Sequence, residues 1–266
     1  MTAVQNAPTS APGAVDEQPG RRTGISLGTL VRVELRKLAD TRSGLWLLIV
    51  IGLAAAGTAV IMLAAAPDDQ QNFQQLLSFG LFPAAVLLPV LGILSMTSEW
   101  SQRTALTTFT LTPARGRVVV AKLLAAVLIA VATTAAAAAL SAVANLVAIG
   151  TGGDGSWHIE AALVGQLLVN QVVFVLMGSA FGALLMNSPL AIVLYLVIPT
   201  LWSVLGEMVG WLHRAAGWLD INLTSTPLSE PGMTGEQWAR FGVAALVWVA
   251  LPLFLGTLRV LRREVS

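Results

Sequence analysis

The side chains able to do chemistry are few in this 266-residue chain, and their spacing decides what they can do. It has two histidines, His158 and His213, and no cysteine. Thiolate nucleophiles, thiolate metal sites and disulfides are therefore excluded. Glu207 precedes His213 by six residues, well over one helical turn, and this fits neither a metal-ligand spacing nor a catalytic triad. That spacing argues against catalysis. His158 lies between Asp154 and Glu160, where a metal site could be drawn, but a solvated loop explains the same residues more simply. The lysines are Lys37 and Lys122, and no G-x-x-x-x-G-K-[ST] run occurs. Without that phosphate-cradling loop the chain does not bind and hydrolyse ATP itself. No catalytic residue, metal site or resident cofactor is expected.

The elements around these residues are set by the distribution of charge. Charged residues make up 11% of the chain, against roughly 25% in soluble globular proteins. Residues 43–67, 70–98, 123–153, 161–206 and 241–258 contain no Asp, Glu, Lys or Arg. These gaps hold 149 residues, more than half the chain. A bilayer span needs ~20 largely apolar residues, so four gaps fit one helix each and the longest fits two. A soluble enzyme, a nucleic-acid binder and a secreted domain are excluded by this pattern. The expected fold is all-α integral membrane with six transmembrane helices, at about 45–66, 79–97, 119–150, 161–186, 190–206 and 241–258. Asn187-Ser188-Pro189 divides the longest gap, because the residue before a proline is pushed out of helical geometry. The spans belong to one domain over residues 44–260.

Orientation follows from the basic residues. With six spans both termini share a side, and that side carries 13 of the 15 Lys and Arg, leaving Arg214 and Arg240 opposite. The positive-inside rule then places both ends in the cytoplasm, in a bacterial-type plasma (inner) membrane. Residues 1–26 are polar and rich in Pro, Ala, Ser and Gly, and read as a disordered cytoplasmic tail rather than a signal peptide. Residues 261–266 form the second tail.

Within residues 27–43, Leu27, Leu30, Val31, Leu35 and Leu38 fall on one helical face, with Arg32, Arg36, Lys37 and Asp40 on the rest. This predicts an amphipathic helix lying at the membrane interface. A solvated helix leading into the first span is the alternative. Among the spans, Gly178 and Gly182 form a G-x-x-x-G, suited to close helix packing either within the subunit or at a dimer seam. Gly52, Ala56 and Gly57 also permit close approach. Intramembrane charge is scarce, and Gln166, Asn170 and Gln171 are the main central polar groups, which disfavours a proton relay.

The loop at 98–118 is the most informative cytoplasmic segment. Leu106, Phe109 and Thr110 share one face of a short helix that Pro113 would end, with Thr107, Thr108 and Arg103 around it. A partly apolar helix held out to the cytoplasm suits docking to a soluble partner, although many membrane proteins carry ordinary interfacial loops of this size.

The arrangement Glu99…Arg103-Thr104…Leu111-Thr112-Pro113…Arg115…Lys122 resembles the E-x-x-x-G-T…L-x-x-P-x-x-R…K signature of ABC transporter permeases of the type-2 exporter class. Arg103 stands where that signature has Gly. Val33-Glu34-Leu35-Arg36-Lys37-Leu38 resembles the family's leading amphipathic helix, and the likeness covers most of residues 27–264. The resemblance implies that Trp100, Arg103, Thr104, Leu106, Thr107, Phe109, Thr110, Pro113 and Arg115 contact an ABC ATPase subunit, with Glu99 and Met96 near an inner gate. It also implies a short outer re-entrant element within residues 207–238, holding Glu207, Trp211, His213 and Arg214. ATP and Mg would sit on two copies of the partner ATPase. A second permease subunit, a copy or a homologue, would complete the pathway through the lipid bilayer. The expected substrate is a small amphipathic or hydrophobic compound (drug, antibiotic, peptide or lipid) moved outward. A non-transporting sensor or scaffold that docks a partner through the same loop is the alternative.

Overall fold

The computed structural model describes residues 26–101 and 115–262, and among these every regular element is helical. Six helices are long and apolar enough to cross a membrane: Arg42–Ala65, Phe73–Glu99, Arg115–Thr151, Ala161–Leu185, Ser188–Met208 and Gly235–Arg262. Large apolar residues such as Leu53, Val60, Ile61, Val193 and Leu201 stand exposed along their outer sides. Water would not tolerate so much exposed apolar surface on a monomer, whereas hydrocarbon does.

The first helix, α1 (Leu27–Asp40), starts where the Ser26 hydroxyl accepts a hydrogen bond from the Thr29 amide. It ends at Thr41, whose hydroxyl caps α2 (Arg42–Ala65) by accepting from the Gly44 amide at 3.3 Å. A Cβ at Gly44 would collide with the Leu38 carbonyl, so this elbow needs glycine. The leucine face expected from the sequence is the face that packs, with Leu38 buried and Leu27, Leu30, Val31 and Leu35 partly so.

The second membrane-length helix starts at Phe73, earlier than the expected start at 79 and close to where the charge-free stretch begins. Asn72 caps α3 (Phe73–Gly80), whose Leu76 and Leu77 are fully buried, and Leu81 turns the chain into α4 (Phe82–Ser101). The next, α5 (Arg115–Thr151), has 37 residues and spans about 55 Å, more than the ~30 Å of a hydrocarbon core. It already includes Arg115, ahead of the expected Val119, because Arg115 and Arg117 can join a helix that extends past the apolar layer.

The bundle is centred on α6 (Ala161–Leu185), whose contact with α4 is the most extensive between any two helices. Glycine allows that contact. A Cβ on Gly178 would strike the Pro89 carbonyl of α4, one on Gly182 would lie 2.9 Å from the Ile93 oxygen, and one on Gly92 would lie 2.6 Å from the Val175 oxygen. The G-x-x-x-G therefore packs within the subunit. Gly52 and Gly57 on α2 have nothing within 4 Å of a built Cβ.

After α6 the chain breaks at Met186, which has a left-handed φ of 53°, and Asn187 caps α7 (Ser188–Met208). Two short helices follow, α8 (Gly210–Leu219) and α9 (Ile221–Ser225), the second capped by the Asp220 carboxylate. A capping box of Thr234 and Gln237 opens α10 (Gly235–Ala245), which runs through a π-helical turn at Leu246–Ala250 into α11 (Leu251–Arg262). The last apolar helix is thus longer at both ends than residues 241–258, since Glu236, Arg240, Arg259 and Arg262 ride on its ends.

Two of the three central polar side chains tie elements together. Gln171 donates to the Leu81 carbonyl at the α3–α4 turn, and Gln166 donates to the Pro227 and Glu230 carbonyls. Asn170 makes no such bond, and its buried Oδ1 has no partner.

Candidate functional site

Where α4 ends and α5 begins, three elements converge on four charged side chains. Glu34 lies on α1, at helical spacing from Leu30 and Leu38, and so on the packed face. Glu99 lies in the last turns of α4, and Lys122 lies two turns into α5. All three are buried, with 5%, 5% and 3% of their surface exposed. Lys37, one turn along α1 from Glu34, remains partly exposed.

The ammonium of Lys122 donates to Glu34 Oε2 at 2.7 Å and to the Ser95 carbonyl at 3.0 Å, and pairs with Glu99 Oε1 at 3.3 Å. These contacts occupy the three donors an ammonium has. Lys37 donates to Glu34 Oε1 at 2.7 Å and to Glu99 Oε1 at 3.1 Å. Both lysines of the chain and two of its glutamates thus form a closed, neutral set that joins α1, α4 and α5. Burial alone would push the Glu34 carboxyl up. Lys122 and Lys37 outweigh that and hold it below its ordinary value of 4.5. Burial likewise works to lower the Lys37 ammonium, but hydrogen bonds and charge from Glu34 and Glu99 hold it above 10.5.

The sequence does not announce this cluster: Lys37 reads as a polar-face cation of an interfacial helix, and Lys122 only as the last residue of the loop signature. One signal pointed to it: a carboxylate at position 34 within the leucine stripe of α1. Of the inner-gate residues, Glu99 enters the cluster. Met96 packs in a separate apolar group with Val119, Ala183, Met186 and Val260.

The residues expected to contact an ATPase divide between described and undescribed positions. Arg103, Thr104, Leu106, Thr107, Phe109, Thr110 and Pro113 lie outside the described residues. Trp100 belongs to the last turn of α4. Arg115 opens α5, and its guanidinium donates to the Val260 carbonyl of α11 at 3.3 Å. The described residues on either side of that segment, Ser101 and Arg115, lie two residues after Glu99 and seven before Lys122.

At the opposite end, α8 folds back along α7. Ala216 faces Gly206, and Asn222 just beyond α8 donates to the Ser203 hydroxyl at 3.2 Å. The Trp248 indole in the π-helical turn donates to the Leu219 carbonyl at 2.6 Å, and the Arg240 guanidinium stands 5.6 Å from the Trp218 ring centre. Glu207, His213 and Arg214 are exposed on the α7–α8 hairpin, which also holds Trp211. Among the described residues no three His, Asp or Glu side chains come together as metal ligands would. His158 sits exposed in the loop at 154–160.

No protein-family model matches the chain, and no curated protein matches it.

Proposed function

We propose that this chain is the membrane-spanning permease subunit of an ATP-driven ABC exporter, with both termini in the cytoplasm of a bacterial-type plasma membrane. The observation that carries this reading is the burial of Lys122 between Glu34 and Glu99. A buried charge that loses its partner is costly, so such a set holds its elements in register. It lies beside the two described helix segments that flank residues 102–114 in the sequence. A push on the 98–118 loop by an ATPase would act on α4 and α5 at their anchored ends, and on α1 through the same charges.

In this reading Trp100–Thr112 dock into the ATPase, with Arg115 fixing the start of α5 against α11. The partner supplies ATP and Mg, in two copies per complex, and a second permease subunit completes the pathway. The α7–α8 hairpin acts as the outer re-entrant lid over that pathway. The substrate is hydrophobic or amphipathic, matching walls of Leu, Ala, Val and Met.

The test is co-expression with an ABC ATPase encoded next to this chain. A complex that copurifies, and that is lost with Leu106→Asp and Phe109→Asp, is the expected outcome. Failure of any ATPase to copurify, with the loop still binding another cytoplasmic protein, would favour the scaffold alternative.

A further inference from the structure

The leucine face of α1 is taken up by the bundle, so what α1 turns outward is its opposite face. Arg32 and Arg36 lie four residues apart on that face, one turn above the other, and both are exposed. Arg36 stands two residues, about 200° around the helix, from each of the buried Glu34 and Leu38. Arg42, also exposed, opens α2 just past the Thr41 elbow. Lys37 is committed to Glu34 and Glu99, whereas none of these three guanidiniums takes part in an ion pair among the described residues. Asp40 is the one exposed acid on α1. Positive charge on this face is therefore in excess and unspent.

The depth of the patch follows from its neighbours. Arg42, Glu99 and Lys122 each stand directly outside a charge-free stretch, at 43–67, 70–98 and 123–153. They mark one edge of the apolar layer, and Glu34 ties α1 to that edge through Lys122. Beyond such an edge comes a headgroup region roughly 5–7 Å thick, less than the ~10–12 Å width of a helix. Val33 on α1 is 43% exposed, and Leu45 and Trp46, in the first turns of α2, are 48% and 64% exposed. Tryptophan favours this boundary. Guanidinium pairs with phosphate oxygens through two parallel hydrogen bonds. An acidic soluble protein would match the charge, but lipid matches both the charge and the apolar residues beside it.

We propose that the outward face of α1 and the start of α2 bind anionic phospholipid, with Arg32, Arg36 and Arg42 on the headgroup phosphates and the acyl chains against Leu45 and Trp46. A zwitterionic headgroup brings a cation with each phosphate and gains little from a patch with excess positive charge. Lipid charge then holds α1 from outside while Glu34 holds it from inside. The binding rests on the chain spanning a membrane and not on ATP-driven export.

The probes are dioleoyl phosphatidylglycerol and dioleoyl phosphatidylcholine, which share their chains and differ in headgroup charge. Each is titrated into the purified full chain in an uncharged detergent, without ATPase or nucleotide, and read by native mass spectrometry. The expected result is binding of phosphatidylglycerol at least about tenfold tighter than phosphatidylcholine, since each arginine near an anionic surface contributes about fivefold. Arg32→Gln with Arg36→Gln and Arg42→Gln should cut that preference at least about fivefold. All three side chains are exposed and outside any ion pair, and glutamine is a good helix former, so the variant should melt as the parent does. Arg36→Gln alone is the second variant and should cut the preference about two- to fivefold. Arg262→Gln, which removes an exposed arginine of α11, is the control and should leave it within about twofold. Inorganic phosphate at tenfold excess over the lipid should not displace it, because phosphate lacks the chains. Equal affinity for the two lipids would overturn the proposal and leave the arginines to an acidic protein surface. A smaller fall in the triple variant, an equal fall in Arg262→Gln, or displacement by phosphate would overturn it as well. With no ATPase present, none of these outcomes bears on whether the chain is an ABC permease.

Discussion

The ammonium of Lys122 lies 2.7 Å from Glu34 Oε2 although the two residues are 88 positions apart. This contact fixes the amphipathic helix α1 to the start of the longest helix, and Glu99 extends the link to α4. The unit so formed is electrically neutral and largely removed from solvent.

Breaking one member should therefore cost far more than a surface pair. Lys122→Met leaves two buried carboxylates with one partly exposed partner, and we expect a loss of about 3–5 kcal/mol. Glu34→Gln combined with Lys122→Met leaves Glu99 with Lys37, and should recover at least ~1 kcal/mol of that loss. Scanning unfolding of the purified variants gives the comparison. Equal stability of the parent and Lys122→Met would show that the cluster contributes nothing.

The same cluster has a pH signature. The Glu34 carboxyl titrates below 4.5 in the folded chain, so its contribution is complete above pH 4.5 and disappears as pH falls through the lowered value. Melting temperature should drop along that acid limb, and Glu34→Gln should flatten it. Lys37 works in the opposite direction: its raised value makes a contribution present below pH 10.5 that is lost as pH rises further. That part is small, because Lys37 is partly exposed. An acid limb identical in the parent and Glu34→Gln would contradict the assignment.

Detachment of α1 can be followed directly, since the chain contains no cysteine. A single cysteine placed at Leu35, on the half-buried face of α1, should react with maleimide several-fold faster when Lys122 is replaced by Met. Unchanged labelling would mean that α1 is held by its leucines alone.

The glycines offer a fourth contrast. Gly178→Ala should lose about 1–3 kcal/mol, because its methyl would run into the Pro89 carbonyl. Gly52→Ala has open space and replaces a poor helix former, so it should be neutral or gain up to ~1 kcal/mol. Thermal unfolding in detergent separates the two, and equal effects would remove the close-packing account of α4 against α6.

The six apolar helices and the break at Asn187 were legible in the sequence, because each depends on local composition and on one proline. Helix ends were less so. Arg115 and Glu236 can belong to a helix that protrudes beyond an apolar layer, and charge gaps mark only where that layer starts. The G-x-x-x-G announced a close approach but not its partner, and Pro89 supplied it. The charge cluster was hidden for a related reason. Lys37, Lys122 and Glu99 each read as ordinary charges at the rim of a span, and only folding brings both ammonium groups within 3.3 Å of the Glu99 carboxylate. Glu34 carried the one local hint, as an acid among leucines. An outer element at residues 207–238 entered only through a resemblance, and the fold-back of α8 along α7 rests on Gly206 accepting Ala216, which no pattern announces.

The central claim is that the loop beyond Glu99 couples this bundle to an ATPase. The most direct measurement is ATP-dependent export by vesicles holding this chain and an ATPase encoded beside it, with and without Leu106→Asp and Phe109→Asp. Copurification and ATP-driven transport in the parent, both lost in the double variant while the bundle still melts normally, is the expected result. A double variant that still copurifies and still exports would contradict it.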